Sequence, residues 1–349
     1  MSRGSTPPTQ AGTGDGSANV ATQEQLDPLS SALTPPLRVL VTGAAGFLGS
    51  HFLPRLASRG HLVRATYRSE SGPGRDAMPG ADWRRADVTD PGSLRELARE
   101  CDAVVHLAGS SSRADGPSLE AIHAAGTRNV IAAAAACDVR RFVFVSALGA
   151  SPAGGEFFRS KFQAEDAVMS SGLEYVILRP SVAYGPGDHF TTALARLLRA
   201  LPVFPMLGDG TFRIQPVAVE DLADAMTQSV ERTDLCRGLF EVAGPEALSF
   251  LRVVRTVGEA IGCSRPVVPL PEPIAPVAAW LAGQLRWPTP FTPEQLDILR
   301  SGSVLSGEDN PLRSVFHVKP LPFRDAIQDY LTRGTAGPGK VRGRGSEPA

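Results

Sequence analysis

The chain has 349 residues, 42% of them hydrophobic, which is enough to bury the core of one large domain or of a domain with a smaller lobe. Its formal net charge of −1 excludes the global electrostatic attraction on which nucleic-acid and anionic-membrane binders rely. The four cysteines have no metal-ligand spacing, so they indicate buried thiols in a reducing compartment rather than a disulfide framework or a metal site.

The two ends of the chain differ in composition from the rest. Residues 1–36 are rich in Ser, Thr, Gly and Pro, without the apolar core of a secretory signal or the Arg-rich character of a mitochondrial presequence. We predict that residues 1–36 and the tail 334–349 are disordered. No stretch of the sequence has the length and apolarity of a transmembrane helix.

Strands and helices are predicted to alternate through the first half of the chain. Apolar runs predict strands at 37–42, 61–68, 81–87, 101–109, 140–150 and 173–180. Helical spacing predicts helices at 46–60, 91–100, 119–137 and 161–172. This alternation predicts an α/β fold with a doubly wound, parallel sheet and right-handed crossovers.

After Pro180 the regular alternation of strands and helices ends, and the loops become rich in Pro and Gly. We expect the segments 212–230 and 238–244 to return to the main sheet. A helix within 245–262 would then open a smaller C-terminal lobe. We therefore expect residues 181–333 to hold the remaining sheet elements and a substrate lobe.

A glycine-rich loop joins the first predicted strand to the first helix. In TGAAGFLGSH, Gly43 permits the tight turn, Gly46 lets the backbone approach a pyrophosphate, and Gly49 lets the helix pack closely. The N-terminus of the helix adds free N–H groups and the positive end of its dipole. The alternative is a plain structural turn, but a strand before the loop and a helix after it are typical of dinucleotide binding. The sequence thus predicts a Rossmann, NAD(P)-binding domain over residues 37–180.

The end of the second predicted strand bears on which dinucleotide fits. An NAD site needs an acid about 20 residues beyond the loop for the ribose 2′-hydroxyl, but this strand ends at Arg68. Arg68 can pair with a 2′-phosphate, which favours NADP(H) over NAD(H); its alternative is a surface role. Glu70 would serve NAD if the strand ran further. Asp87 and Val88 fit a contact to the adenine edge, and a turn or capping role is the alternative for Asp87.

Several motifs together resemble the extended and atypical short-chain dehydrogenase/reductase superfamily, whose members include NAD-dependent epimerases and dehydratases. They are TGAAGFLGSH, Asp87-Val88, VVHLAG, FVFVSALGA, RSKFQAE and LRPSVAYGPGD, and the resemblance covers residues 37–333. The branch most similar to this chain is that of the NAD(P)-binding accessory subunit of mitochondrial complex I and its bacterial relatives. The resemblance implies a pyrophosphate at the glycine loop, a nicotinamide ribose beside Ala108 and Gly109, and a nicotinamide bordered by Pro180, Ser181 and Val182.

The same resemblance makes Ser146 the active-site serine and Lys161 the lysine that binds the cofactor ribose, although Lys161 also fits a solvated helix position. Two positions depart from the family. Phe157 stands where the catalytic tyrosine is expected, and phenylalanine can neither donate nor accept a proton. His123 stands where many members have an asparagine, and we expect it to be a packing residue rather than a substitute catalyst.

Tyr184 is the tyrosine best placed to take over the acid/base role, because it follows the strand that ends at Pro180 and so lies at the ligand-binding edge. Packing of its loop is the alternative. The predicted catalytic residues are Ser146, Lys161 and Tyr184. The predicted cofactor-binding residues are Gly43, Ala45, Gly46, Phe47, Leu48, Gly49, Arg68, Asp87, Val88, Ala108, Gly109, Lys161, Pro180 and Val182.

Three functions are compatible with these residues. The first is an NADPH-preferring oxidoreductase acting on a small apolar, quinone-like or carbonyl substrate, with Ser146 binding the substrate oxygen and Tyr184 or a water giving the proton. The second is a non-catalytic NADPH-binding subunit of a respiratory or quinone-linked complex, and the third is a sugar-nucleotide epimerase or dehydratase. We expect a cytoplasmic protein, or one peripheral to the inner membrane through a protein partner, that binds no nucleic acid.

Overall fold

The computed structural model describes residues 35–74, 77–112, 116–270 and 293–332. The chain divides into residues 1–35 and 36–349, and every element below belongs to the second unit. The segments predicted to be disordered, 1–36 and 334–349, lie outside the described residues except for positions 35 and 36.

The described strands are β1 (Arg38–Thr42), β2 (Leu62–Tyr67), β3 (Asp82–Arg85), β4 (Ala103–His106), β5 (Arg141–Val145), β6 (Glu174–Pro180), β7 (Ala183–Tyr184), β8 (Phe204–Leu207), β9 (Arg213–Ile214), β10 (Val217–Ala218), β11 (Gly238–Val242), β12 (Leu248–Ser249) and β13 (Val267–Leu270). The described helices are α1 (Phe47–Ser58), α2 (Gly126–Ala136), α3 (Glu156–Met169), α4 (Phe190–Ala200), α5 (Val219–Glu231), α6 (Phe250–Ala260), α7 (Pro293–Arg300), α8 (Pro311–Ser314) and α9 (Phe323–Thr332). A wide π-helical turn, Ala121–Ala125, runs directly into α2.

Seven parallel strands form the main sheet, in the order β11-β6-β5-β4-β1-β2-β3. Alternate residues of each strand face opposite sides, so Val39 and Val41 pack against α1 and α5 while Leu40 packs on the side of α2 and α3. The predicted Rossmann fold is confirmed. The strand order reverses between β1 and β4, which opens a crevice at their carboxyl ends.

A C-terminal lobe has its own core, formed by α4, α6 and α9, and the sheet strand β11 lies between α4 and α6 in the chain. Short two-stranded ladders, β7 with β10, β9 with β12 and β8 with β13, connect its loops. The predicted return to the main sheet holds for β11, which pairs with β6. It is wrong for the strands within 212–218, because β9 and β10 pair with β12 and β7 instead. Within the described residues, no helix is both long and apolar enough to cross a membrane.

The predicted helix at 91–100 is wrong beyond its first turn. Only Pro91–Leu94 is helical, as a single 3₁₀ turn. The guanidinium of Arg64 on β2 donates to the carbonyls of Leu97 at 3.0 Å and Arg99 at 2.9 Å. Glu96 has a φ of +58°, a left-handed conformation that interrupts a right-handed helix, and the bonds from Arg64 hold the residues after it in this non-helical path.

Candidate functional site

The glycine loop leaves β1 in a conformation that requires glycine. Gly43 has φ +71°, and a Cβ there would lie 2.6 Å from the backbone nitrogen of Ala108, which follows β4. Two neighbouring strand ends are thereby brought into backbone contact. At Gly49, a Cβ would lie 2.1 Å from the carbonyl oxygen of Ala44, so this glycine lets α1 pack onto the loop rather than line the crevice.

The N-terminus of α1 meets the conditions for binding an anion. Its cap residue is Gly46, no side chain of the described residues caps it, and the first turn contains no acid. The first intrahelical bond here is donated by Ser50, so the N–H groups of Phe47 and Leu48 have no acceptor within the helix.

A cavity of about 600 Å³ lies at the carboxyl ends of the strands, next to this helix N-terminus. Its volume is in the range of ligand and cofactor pockets. Most of the predicted cofactor-binding and catalytic residues line it, Gly49, Val182 and Tyr184 being the exceptions. The predicted residues in its lining are Gly43, Ala45, Gly46, Phe47, Leu48, Arg68, Asp87, Val88, Ala108, Gly109, Ser146, Lys161 and Pro180.

The residues after β2 and β3 form one end of the cavity. Arg68 is exposed and lines it. Glu70, the alternative acid for an NAD site, forms an ion pair with Arg85 at 3.0 Å. Asp87 is compatible with both roles that the sequence left open, because it lines the cavity and also closes a turn. Its Oδ1 accepts hydrogen bonds from the N–H and the hydroxyl of Thr89 at 2.8 and 2.7 Å.

Ser146 and Lys161 lie at the other end, on the side of β5. The Ser146 Oγ is buried and has no hydrogen-bond partner within the described residues. The Lys161 Nζ donates to the carbonyl of Val145 at 3.0 Å and lies 5.1 Å from the centre of the Phe144 ring. Burial lowers the pKa of Lys161 to about 8, against the opposing charge of Glu165. Lys161 is therefore a buried group of the cavity, and not a solvated helix residue.

The local structure explains how Lys161 reaches the cavity. The structure starts α3 at Glu156, five residues before the predicted start, so Lys161 is in the second turn of the helix and faces inward. A Cβ on Gly109 would lie 3.4 Å from its Nζ. The absence of a side chain at Gly109 leaves room for the lysine to approach the loop after β4.

His123 joins the π-helical turn to the loop after β4 and to α3. Its Nε2 accepts the backbone N–H of Ser110 at 3.1 Å, and its Nδ1 lies 2.8 Å from the Ser160 Oγ. Burial first, and then the charge of Lys161, lower the pKa of His123 to about 2, so the ring is neutral. Because Nε2 accepts a hydrogen bond, the ring proton is on Nδ1, which donates a hydrogen bond to the Ser160 hydroxyl. That hydroxyl in turn donates a hydrogen bond to the carbonyl of Phe157 at 2.9 Å.

Phe157 lies in the cavity lining where the family tyrosine is expected. Its ring meets the His123 ring edge-on, with the two centroids 5.5 Å apart, and packs against Phe158 at 5.3 Å. The position therefore presents an apolar surface to the cavity and no proton donor.

Tyr184 is separated from this cavity. It is 1% exposed in the core of the C-terminal lobe, its hydroxyl donates to the carbonyl of Leu321 at 3.4 Å, and its ring packs edge-on against Phe323. Burial raises the pKa of Tyr184, so its phenol holds its proton. Val182 also packs into the lobe core rather than against the cavity. The loop beyond Pro180 turns away from the sheet edge, which is why both residues lie elsewhere.

Sequence reasoning missed part of the lining. Ser110, Ser111 and Ser112 line the cavity, and the polar run directly after a buried strand was the available signal. Ser111 also accepts a hydrogen bond from the Nε2 of Gln295 on α7 at 2.9 Å, which ties the loop to the lobe. Within the described residues, no cluster of His, Cys, Asp or Glu has the geometry of a metal site.

Comparisons with known proteins agree with this geometry. The model of the NAD dependent epimerase/dehydratase family matches residues 39–238. The chain is 31% identical over 245 residues to a ceramide reductase of Caulobacter vibrioides, covering 67% of this chain and 74% of that one. It is 27% identical over 289 residues to the NADH dehydrogenase [ubiquinone] 1 alpha subcomplex subunit 9 of Arabidopsis thaliana mitochondria, covering 78% and 71%. Among solved structures, a Thermus thermophilus UDP-glucose 4-epimerase in complex with NAD superimposes with a TM-score of 0.67 at 25% identity, covering 86% of this chain and all of that one.

Proposed function

Because the chain belongs to the NAD-dependent epimerase/dehydratase family, we propose that it is a nicotinamide-dependent oxidoreductase that reduces a carbonyl or quinone-like group of a small apolar substrate. The observation that carries the proposal is the Ser146 hydroxyl, which is buried and lacks a partner among the described residues, in the same cavity as the glycine loop and Lys161. A buried polar group without a partner is costly unless a ligand completes it.

The residues present fit a bound dinucleotide. The contact at Gly43 leaves no room for a side chain, and the N–H groups of Phe47 and Leu48 suit a pyrophosphate. When bound, the dinucleotide supplies a hydride to the substrate carbon. The Ser146 hydroxyl donates a hydrogen bond to the substrate oxygen and so stabilises the negative charge that develops there. Phe157 keeps water from that oxygen through its apolar ring.

We further propose a preference for NADPH over NADH. Arg68 is exposed in the cavity lining at the end of β2, where its guanidinium is available to a 2′-phosphate. Glu70, which would favour a ribose hydroxyl, is paired with Arg85. In this assignment, residues 37–180 bind the cofactor and residues 181–333 supply the substrate lobe.

A second candidate is an NADPH-binding subunit without turnover, located at the inner membrane through a protein partner. Phe157 favours it, because the usual phenol is absent, and so does the resemblance to the Arabidopsis subunit. A sugar-nucleotide epimerase, by analogy with the Thermus enzyme, is disfavoured by the same phenylalanine. The similarity to the Caulobacter ceramide reductase instead favours a reductase over both alternatives.

The test is titration of the purified full chain, after removal of co-purified nucleotide, with NADPH and NADH by fluorescence and thermal shift. Aliphatic ketones, long-chain ketones and quinones are then screened for oxidation of the reduced dinucleotide. Binding with turnover that falls in Ser146→Ala supports the oxidoreductase. Binding without turnover of any compound supports the non-catalytic subunit, and failure to bind either dinucleotide refutes both.

A further inference from the structure

We propose that Lys161 is the proton donor of this site and that its Nζ protonates the substrate oxygen held by Ser146. The inference rests on the proposed oxidoreductase function, and it identifies a proton donor to replace the tyrosine that is absent at position 157. It gives Lys161 a catalytic role beyond the ribose contact that the family resemblance implies.

The position of the titratable groups around the cavity selects Lys161. In the described lining these groups are Tyr67, Arg68, Asp87 and Lys161. Tyr67 ends β2, and Arg68 and Asp87 follow β2 and β3, so all three lie on the far side of β1 and β4 from β5, the strand that leads into Ser146. Lys161 alone among the described lining residues is a titratable group on the β5 side.

The contacts of Lys161 leave protons available to a ligand. Its ammonium has three N–H donors, and the structure assigns one bond, to the carbonyl of Val145, the residue directly before Ser146. The nearest acid on its own helix, Glu165, is occupied by Arg179, whose Nε and Nη2 lie 2.8 and 2.5 Å from the two carboxylate oxygens. No carboxylate of the described residues is therefore committed to holding the Lys161 proton.

Burial, rather than the groups that face Lys161 from the surrounding elements, favours release of that proton near neutral pH. Burial lowers its pKa to about 8, while Glu165 on its own helix opposes the shift. His106 on β4 and His123 on the π-helical turn are neutral, since burial, and then Lys161 itself, lower their pKa values to about 3 and about 2. An acid with a pKa close to the working pH is the most effective proton donor.

The composition of the chain supports a role for the amine itself. Lysine and arginine together number 35, of which only Lys161, Lys319 and Lys340 are lysine. The other 32 basic side chains are guanidinium groups, which stay protonated in proteins. The cavity thus holds one of the few basic groups in the chain that can give up a proton.

The step balances without a further reagent. Hydride from the reduced dinucleotide forms the new C–H bond, and the π electrons of the C=O bond move to oxygen. The oxygen takes a proton from the Lys161 Nζ, whose N–H bond breaks. The neutral amine then recovers a proton from water, and the products are an alcohol and the oxidised dinucleotide.

The first test is the pH profile of turnover with the most active compound of the ketone and quinone screen. In the wild type, kcat should be flat below about pH 8 and fall about tenfold per pH unit above it, because the amine must be protonated to act. Lys161→Arg keeps the charge but does not release a proton, so its kcat should fall by about 10²- to 10⁴-fold and lose this limb. The NADPH dissociation constant of each variant, measured by fluorescence, separates loss of binding from loss of proton transfer.

The second readout is independent of turnover. Labelling of the full chain with a small amine-reactive reagent, followed by mass spectrometry, compares the cavity Lys161 with the exposed Lys319. A labelling midpoint near pH 8 is expected for Lys161. The assignment would be overturned if Lys161→Arg turned over as fast as the wild type and its kcat still fell above about pH 8. Absence of any wild-type turnover would instead overturn the proposed function.

Discussion

Replacement of His123 tests whether the hydrogen bonds beneath the cavity hold the loop after β4 in place. His123→Leu leaves the Ser110 N–H without its acceptor and removes the donor to Ser160. Each unsatisfied buried group costs about 1–3 kcal/mol, so we expect the free energy of unfolding to fall by about 2–4 kcal/mol at neutral pH. His123→Gln keeps an amide donor and acceptor in nearly the same place and should lose less than half of that.

The pH dependence separates the hydrogen bonds from the charge. The folded-state pKa of His123, about 2, is below its ordinary value of 6.5, so the unfolded chain binds more protons and stability is lost as the pH falls below 6.5. Between about pH 7.5 and about pH 5.5 this linkage costs the wild type about 1.4 kcal/mol through His123 alone. Neither His123→Leu nor His123→Gln titrates here, so both should lose stability less steeply than the wild type.

Urea-induced unfolding at the two pH values, followed by fluorescence, measures these differences. His106 is also a buried neutral histidine, and it contributes the same acid sensitivity to every variant, so it cancels in the comparison. Ser160→Ala is the matched control, because it removes the bond to the Nδ1 of His123 and keeps the titrating ring. A penalty for His123→Gln that is equal at both pH values would refute a neutral, buried His123.

Three further predictions concern binding and stability. Gly43→Ala should weaken NADPH binding at least about 100-fold in a fluorescence titration, because its Cβ would lie 2.6 Å from a backbone atom. Gly60→Ala is the control, because Gly60 also has a positive φ, +86°, but open space around it, so only backbone strain is expected there. Arg68→Ala should weaken NADPH binding by about 10-fold or more and leave NADH binding within about threefold, as judged by parallel titrations; equal losses would argue against a 2′-phosphate contact. Tyr184→Phe should lower stability by about 1 kcal/mol, through loss of the bond to Leu321, and leave kcat unchanged in the ketone and quinone assay.

The parts of the site that depend on local chemistry were predictable from the sequence. Gly43 could be placed because a tight turn with positive φ and a close backbone approach both demand glycine, and the strand before it and the helix after it supplied the context. Ser146 was assigned to the site through the resemblance of its motif, FVFVSALGA, to the family, and the structure places it in the cavity lining.

The parts that depend on distant contacts were not predictable. Tyr184 faces the lobe because it packs against Phe323, 139 positions further along the chain, and no local pattern contains that information. The helix predicted at 91–100 gives way to bonds from Arg64 for the same reason. Gln295 donates to Ser111 across 184 positions, so the bond between the lobe and the loop after β4 could be learned only from the structure.

The hydrogen bonds under the cavity explain how the site stays coherent without a phenol at position 157. Both nitrogens of His123 are satisfied, by Ser110 and Ser160, so a phenylalanine ring leaves neither of them in need of a partner. Among the described side chains that line the cavity on the β5 side, the Oγ of Ser146 and the N–H groups of Lys161 that do not bond Val145 are the polar groups open to a ligand. Under the proposed function, the acid/base chemistry of a bound carbonyl would therefore rest on one hydroxyl and one amine, without the phenol.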